Sequence, residues 1–398
     1  MLRTFQPIPE SSMTDAATAN AAIATGRFIW AAGESSADML YATGLQTPDP
    51  FLWFAVPGLT AALLSPLEVG RARKAVRPGV AVLAEQEFRE RYGLESTVKL
   101  PPEAVLATLA RRHGLDRWET PAATPCGLAR KLAAAGLEVV PVDRFFPERQ
   151  RKDVAEVARI RDGVALAELG LDRALAILRE AIPGPDRILW WEGAALTAER
   201  LRGEIAAAIA RAGGTAAHTI VAPGAQGADP HQAGEGPIRA HEPLVLDIFP
   251  RVDRTGYFGD LTRTVVKGEA APVVRRAWAA VRQAQETALA LVRAGAIPKE
   301  IHLAAKGVLD AAGFPTDLDA NPPVGFFHGL GHGLGLEVHE APRVNSTATE
   351  PLREGEVITV EPGTYDPAWG GIRLEDVVVV TAGGCEKLTR APACLEIP

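Results

Sequence analysis

Leu244-Val-Leu-Asp-Ile-Phe249 and Tyr257-Phe-Gly-Asp-Leu-Thr-Arg-Thr264 each plant one aspartate in an apolar, strand-like run. A hairpin centred between Asp253 and Arg254 sets Asp247 and Asp260 directly opposite each other. Their Cβ atoms then lie ~5 Å apart, where like charges destabilise a sheet. The flanks are too apolar for two solvated acids, and an unpaired buried carboxylate is costly. A cation between the two removes the penalty.

The same device returns downstream. Glu361 ends the run Val357-Ile-Thr-Val-Glu361, just before Pro362-Gly363, and Glu375 interrupts Ile372-Arg-Leu-Glu-Asp-Val-Val-Val-Val380. A hairpin centred on Ala368 opposes them. Arg373 shares the face of Glu375 by strand periodicity. A surface Arg373–Glu375 pair is the plain alternative, and the neighbouring valines favour burial. The third element is Phe327-His328-Gly-Leu-Gly-His332-Gly-Leu-Gly-Leu-Glu-Val-His339-Glu340, which holds three of the eight histidines. Its glycines let backbone approach a site closely.

Asp247, Asp260, His332, Glu361 and Glu375 thus form a donor set of four carboxylates and one imidazole. Four negative charges balance two divalent cations, with the histidine neutral. Oxygen-rich donors suit Mn²⁺, Co²⁺, Fe²⁺ or Zn²⁺ better than a soft thiolate metal. Two such ions ~3.5–4 Å apart share a water and lower its pKa from 15.7 towards ~7. The chemistry this predicts is hydrolysis.

Outward from this centre, the second half predicts an α+β arrangement. A long amphipathic helix covers Asp153 to Glu180, with Val154, Val157, Ile160, Val164, Leu166 and Leu169 at helical spacing. Further helices fall at Thr197–Arg211, Pro272–Arg293 and Pro298–Ala312. Strands fall at His218–Ala222, Pro243–Phe249, Tyr257–Val266, Val357–Glu361 and Ile372–Val380. Residues 27–142 instead alternate strand and helix, an α/β pattern without catalytic signals. Pro141 and Pro147 break the chain between the two, so the predicted domains are 1–150 and 151–398.

The chain has 398 residues, enough for two cores, and a formal charge of −7. With a pI near 5.7, it has no basic surplus to replace the counterions of nucleic acid. Cys126, Cys385 and Cys394 are odd in number and scattered, which favours the reducing cytoplasm over a disulfide framework. Residues 1–20 lack the apolar core of a secretory leader. The most apolar run, Phe51 to Leu64, contains Pro57 and Gly58, is too short to span a bilayer, and reads as two buried strands around a turn.

Together, Asp247…Gly-Asp260-Leu-Thr-Arg-Thr264, His328-Gly-x-x-His332…Val-His339-Glu340, Glu361-Pro-Gly363 and Arg373-Leu-Glu375-Asp376 resemble the pita-bread metallopeptidases. Within them, the Xaa-Pro dipeptidase (prolidase) and Xaa-Pro aminopeptidase branch is the most similar. The resemblance runs from about residue 150 to the end. It implies a pita-bread (creatinase/aminopeptidase) catalytic domain, preceded by a smaller α/β creatinase-like N-terminal domain.

It also implies roles. Asp247 would chelate one metal, Asp260 and Glu375 would bridge two, and His332 and Glu361 would complete the second. The metals would be two divalent ions, Mn²⁺ foremost, with Co²⁺, Zn²⁺ and Fe²⁺ as alternatives. Glu361 would also exchange a proton with the water between them. His339 would contact the substrate and steady the tetrahedral intermediate, His231 would be the upstream substrate-side histidine, and His328 and Arg373 would line the pocket. The implied activity is hydrolysis of Xaa-Pro dipeptides in the cytoplasm by a homodimer, with no nucleic-acid or membrane partner. Xaa-Pro aminopeptidase action on longer peptides, a non-catalytic binding module and a metal-free hydrolase resembling creatinase are the alternative readings.

Two features depart from the family pattern. The first aspartate is followed by Ile-Phe-Pro rather than x-Gly, with a longer turn to Asp260. Ala217 stands where relatives carry a tyrosine, and Tyr257 is a candidate substitute.

Overall fold

The computed structural model describes residues 24–96 and 100–398. The reading of residues 1–20 lies outside them. Two compact units emerge among the described residues: those of 24–30, 51–74, 78–96 and 100–143 form one, and residues 31–50, 75–77 and 144–398 the other.

In the first unit, Phe51–Val56 and Leu59–Leu64 form an antiparallel hairpin closed at Val56↔Leu59, with Gly58 at φ 77° in its turn. These are the two buried strands predicted around Pro57-Gly58. They extend into a six-stranded mixed sheet, in which Arg117–Pro121 runs parallel to Glu138–Val142. Phe28 packs edge-on against Trp118 at 6.0 Å in its core.

The longest helix of the second unit covers Val154–Glu180, capped by Asp153, whose carboxylate accepts from the Glu156 N–H. Its buried stripe is Ile160, Val164, Ala167, Leu171, Ala174 and Leu178. Val154 and Leu169 are exposed instead. Val154 lies in the first turn, before the helix reaches its partners, and Leu169 sits off the stripe. Ala198–Arg211 packs alongside this helix, and Pro272–Leu291 pairs with Pro298–Ala311.

Each helix pair backs a sheet. The first pair shares a core with Ile220–Pro223, Pro243–Asp247 and Thr262–Lys267. The second shares a core with a five-stranded sheet of order Glu340–Val344, Gly331–Gly333, Val357–Val360, Asp376–Val380 and Cys385–Lys387. A Glu375 N–H to Thr262 C=O bond of 3.1 Å joins the two sheets. Gln285, buried on the Pro272–Leu291 helix, donates to the Val360 and Leu374 carbonyls, one residue short of Glu361 and Glu375. Among the described residues, no helix is long and apolar enough to cross a membrane.

Candidate metal centre

The carboxylates reach one place because polar residues alternate along apolar strands. Asp247 pairs with Thr262 rather than with Asp260. The predicted opposition is therefore two residues out of register. Its tight turn would have forced Asp253 and Arg254 through the geometry that favours Asn-Gly or Asp-Gly. The chain instead closes a four-residue loop, with the Val252 N–H on the Tyr257 carbonyl and Gly256 at φ 77°. Asp260 still faces the same side as Thr262, two residues on. The second hairpin has the register predicted around Ala368, with Val360↔Asp376 and Gly363↔Arg373.

A cleft of about 840 Å³ opens between these strands. Asp247, Asp260, His332, Glu361 and Glu375 all line it, as do His231, His328, His339 and Arg373. Asp260, His332 and Glu375 each bring a donor atom within 4.8 Å of the other two. His332 Nε2 lies 3.1 Å from Glu361 Oε1 and 3.7 Å from Asp260 Oδ2. Threonines steady the acids. Thr262 Oγ1 donates to Glu375 at 2.7 Å, and Thr359 Oγ1 donates to Glu361 at 3.0 Å.

Arg373 is 4% exposed and does not pair with Glu375. Its guanidinium donates to Asp247 Oδ2 at 2.6 Å, to the Tyr365 hydroxyl at 3.0 Å and to Thr262 Oγ1 at 3.2 Å. It adds a fixed positive charge that balancing the acids alone left out. Tyr365, fully buried, also bonds His328 Nε2 at 2.9 Å. Tyr257 sits elsewhere: its hydroxyl donates to Glu156 at 2.8 Å, so it does not stand in for the tyrosine absent at Ala217. Phe326 is core, packed between His302 and His328, whereas Phe327 lines the cleft.

The electrostatics fit a cation. Asp260 is pushed well above the carboxylate range, first by burial and then by Asp247. Glu375 is pushed up likewise, by burial and then by Asp260. Burial also raises Asp247, against the pull of Arg373. Burial acts to raise Glu361, but the hydrogen bond and charge of His332 outweigh it and hold that carboxyl to about 2. His332 is raised in turn, since Glu361 and Asp260 overcome its burial. Burial lowers His328 to about 4. Four acids thus converge on Arg373 and one imidazole, and divalent ions would supply the missing positive charge. The hard oxygen donors with one nitrogen suit such ions.

Several residues in and behind the cleft were not singled out by the sequence. Thr262 and Thr359 follow from strand alternation around Asp260 and Glu361. Tyr365, His218, Phe249, Arg343 and Asn345 carried no local signal. Arg343 pairs with His332 across the sheet and has no carboxylate partner among the described residues.

A sheet-borne cluster of acids and one histidine, backed by paired helices, defines a metallohydrolase centre. Residues 158–382 match the model of metallopeptidase family M24, and the chain belongs to that family. It is 36% identical over 173 residues to the Xaa-Pro dipeptidase of Pyrococcus furiosus, covering 43% of this chain and 47% of that protein. The Xaa-Pro dipeptidase of Pyrococcus horikoshii is also 36% identical over 173 residues, covering 43% of this chain and 46% of that protein. The chain therefore spans about half the length of these curated relatives. The structure of an X-Pro aminopeptidase from Thermotoga maritima superposes with a TM-score of 0.77 at 23% identity, covering 94% of this chain and 97% of that one. That likeness establishes the fold.

Proposed function

We propose that the protein hydrolyses the peptide bond of Xaa-Pro dipeptides, as a prolidase acting in the cytoplasm. The observation that carries the reading is the convergence of Asp247, Asp260, His332, Glu361 and Glu375 in one cleft. Asp247, Asp260, Glu375, His332 and Glu361 would hold two divalent ions, Mn²⁺ by preference. Bound there, such ions supply Lewis acidity toward the scissile carbonyl and acidify water.

The protein's own residues do the rest. Glu361 takes the proton of the attacking water and delivers it to the proline nitrogen as the bond breaks. His332 holds the Glu361 pKa low, because the hydrogen bond and charge of that ring favour the carboxylate. His339, stacked edge-on against His332 at 4.4 Å, donates to the carbonyl oxygen as negative charge builds there. Arg373 orients Asp247 and excludes water behind it. His231, exposed in the turn that follows Gly224–Ala228, and His328, in the loop before Gly331–Gly333, meet the substrate from the cleft wall. The proline nitrogen has no N–H, so binding modes that require a strand donor fail at this bond. A cleft that grips the ring, with Phe327 on its wall, has no such requirement. It takes the trans isomer, because cis and trans exchange slowly.

Arg343 favours a dipeptide over a longer chain. Its guanidinium, without a carboxylate partner among the described residues, lines the cleft beside His332, where proline's own carboxylate can reach it. Residues 1–150 are proposed as the creatinase-like N-terminal domain and 151–398 as the catalytic domain. A homodimer and the reducing compartment complete the proposal, the latter supported by three free cysteines.

The test is a set of Xaa-Pro peptides of rising length, assayed with Mn²⁺, Co²⁺ and Zn²⁺ in turn. Cleavage of Ala-Pro well above Ala-Pro-Pro-Ala supports the proposal. The reverse order makes the protein an aminopeptidase, and no cleavage with any metal leaves a binding module.

A further inference from the structure

Directly after His339 the chain buries a carboxylate that the chemistry above does not use. Glu340 is 8% exposed and is met by two cations. Arg149 Nη2 donates to its Oε1 at 2.6 Å, and Lys152 Nζ to its Oε2 at 3.1 Å. The Lys152 side chain is 1% exposed. Arg149 is itself anchored, on Asp38 at 2.7 Å and on Glu337 at 2.8 Å.

This cluster encloses a loop. The Cα pair Gly333↔Glu340 closes its base, after a register shift between His332 and Gly333. Leu334 to His339 make the loop, and Glu340 bonds back into it: its Oε1 accepts from the Glu337 N–H at 3.1 Å. The Gly335 N–H donates to the Glu337 carbonyl, and the Gly335 carbonyl accepts from the Phe258 N–H. A Cβ at Gly335 would lie 2.8 Å from Glu340 Oε2, so the carboxylate fits flush against the loop backbone. The loop's last residue is His339, whose ring stands at 86° to that of His332.

A buried ion cluster is a poor way to gain stability, since apolar residues of like volume usually do as well. What it provides is direction: charge-assisted bonds are short and geometrically demanding. We propose that Glu340 is a positioning residue: clamped between Arg149 and Lys152, it sets the Leu334–His339 loop and thereby holds the His339 imidazole against His332 at the cleft. The proposal rests on the peptidase reading. Glu340 touches neither substrate nor metal and acts through His339. Its carboxyl lies below the ordinary range, because Lys152 and Arg149 outweigh the effect of burial. The Glu340 carboxylate therefore stays charged at neutral pH.

The experiment compares full-length Mn²⁺-loaded wild type with Glu340→Gln, His339→Ala and the double variant. The readouts are kcat and KM for Ala-Pro, bound metal, and amide hydrogen exchange over residues 334–339. Glu340→Gln should lower kcat by about tenfold to a hundredfold, the cost of misplacing a catalytic group. It should speed exchange in the loop and leave bound metal unchanged. In the His339→Ala background the same change should cost less than about twofold. A full, independent loss in that background, or unchanged loop exchange, overturns the proposal. If Glu340→Gln alone does not fold, Glu340→Gln with Lys152→Met leaves no lone lysine charge and carries the same comparison. If wild type cleaves no Xaa-Pro peptide, the peptidase reading fails, and loop exchange alone decides whether the clamp sets the loop.

Discussion

Replacing Arg373 with methionine keeps most of the volume and removes the charge that faces Asp247. In metal-free protein the Asp247 carboxylate then loses its 2.6 Å ion pair while only 14% exposed. Breaking a buried pair from one side costs 3–5 kcal/mol, and the residual exposure places this case near the lower end, about 3 kcal/mol. For a unit of this size that is a fall in Tm of roughly 6–12 °C. With divalent ions present, the same carboxylate has a new partner. The remaining loss is the hydrogen bonds to Tyr365 and Thr262, about 1 kcal/mol. The variant should therefore gain about 2 kcal/mol more from metal than wild type does, close to a thirtyfold increase in affinity. Urea unfolding of chelator-treated and Mn²⁺-saturated protein, at matched free Mn²⁺, measures both. An equal loss in the two states, or a loss below about 1 kcal/mol without metal, would show that Asp247 does not serve the ions.

Other consequences are as direct. Asp260→Asn should remove most Ala-Pro hydrolysis and at least one equivalent of bound metal, read by initial rates and elemental analysis. Arg343→Met should raise KM for Ala-Pro at least about tenfold, the loss of a charged hydrogen bond, while barely changing KM for Ala-Pro-amide. Tyr365→Phe should cost about 1–3 kcal/mol of stability, since His328 and Arg373 both lose a buried partner; thermal melts check it. Glu340 has a folded pKa below its ordinary value of 4.5. Its contribution to stability is therefore present above that value and lost as pH falls through the lower folded one. Glu340→Gln should flatten the acid limb of a pH–stability profile below about pH 4.5 and lower stability at pH 7.

Much of the centre was legible because strand periodicity exposes an intruder. Asp260, Glu361 and Glu375 each break an apolar run, and a buried carboxylate demands a partner. Helix ends were readable to within about two residues, since Asp153, Pro272 and Pro298 are start signals with a mechanism. The first hairpin misled because its turn was judged by symmetry, when the left-handed residue it needed was Gly256. Burial of Arg373 was readable from the neighbouring valines, but its partner Asp247, on the other sheet, was not. Tyr365 and Arg343 were invisible for the same reason: their importance comes from what folds against them. Val154 and Leu169 show that apolar spacing marks a face without saying how far along it the core extends.

The most direct experiment is anomalous diffraction from crystals loaded with Mn²⁺. Two peaks ~3.5–4 Å apart, ringed by Asp247, Asp260, His332, Glu361 and Glu375, are expected. A cleft without anomalous signal, or ions bound only elsewhere on the chain, would contradict the assignment of these five side chains.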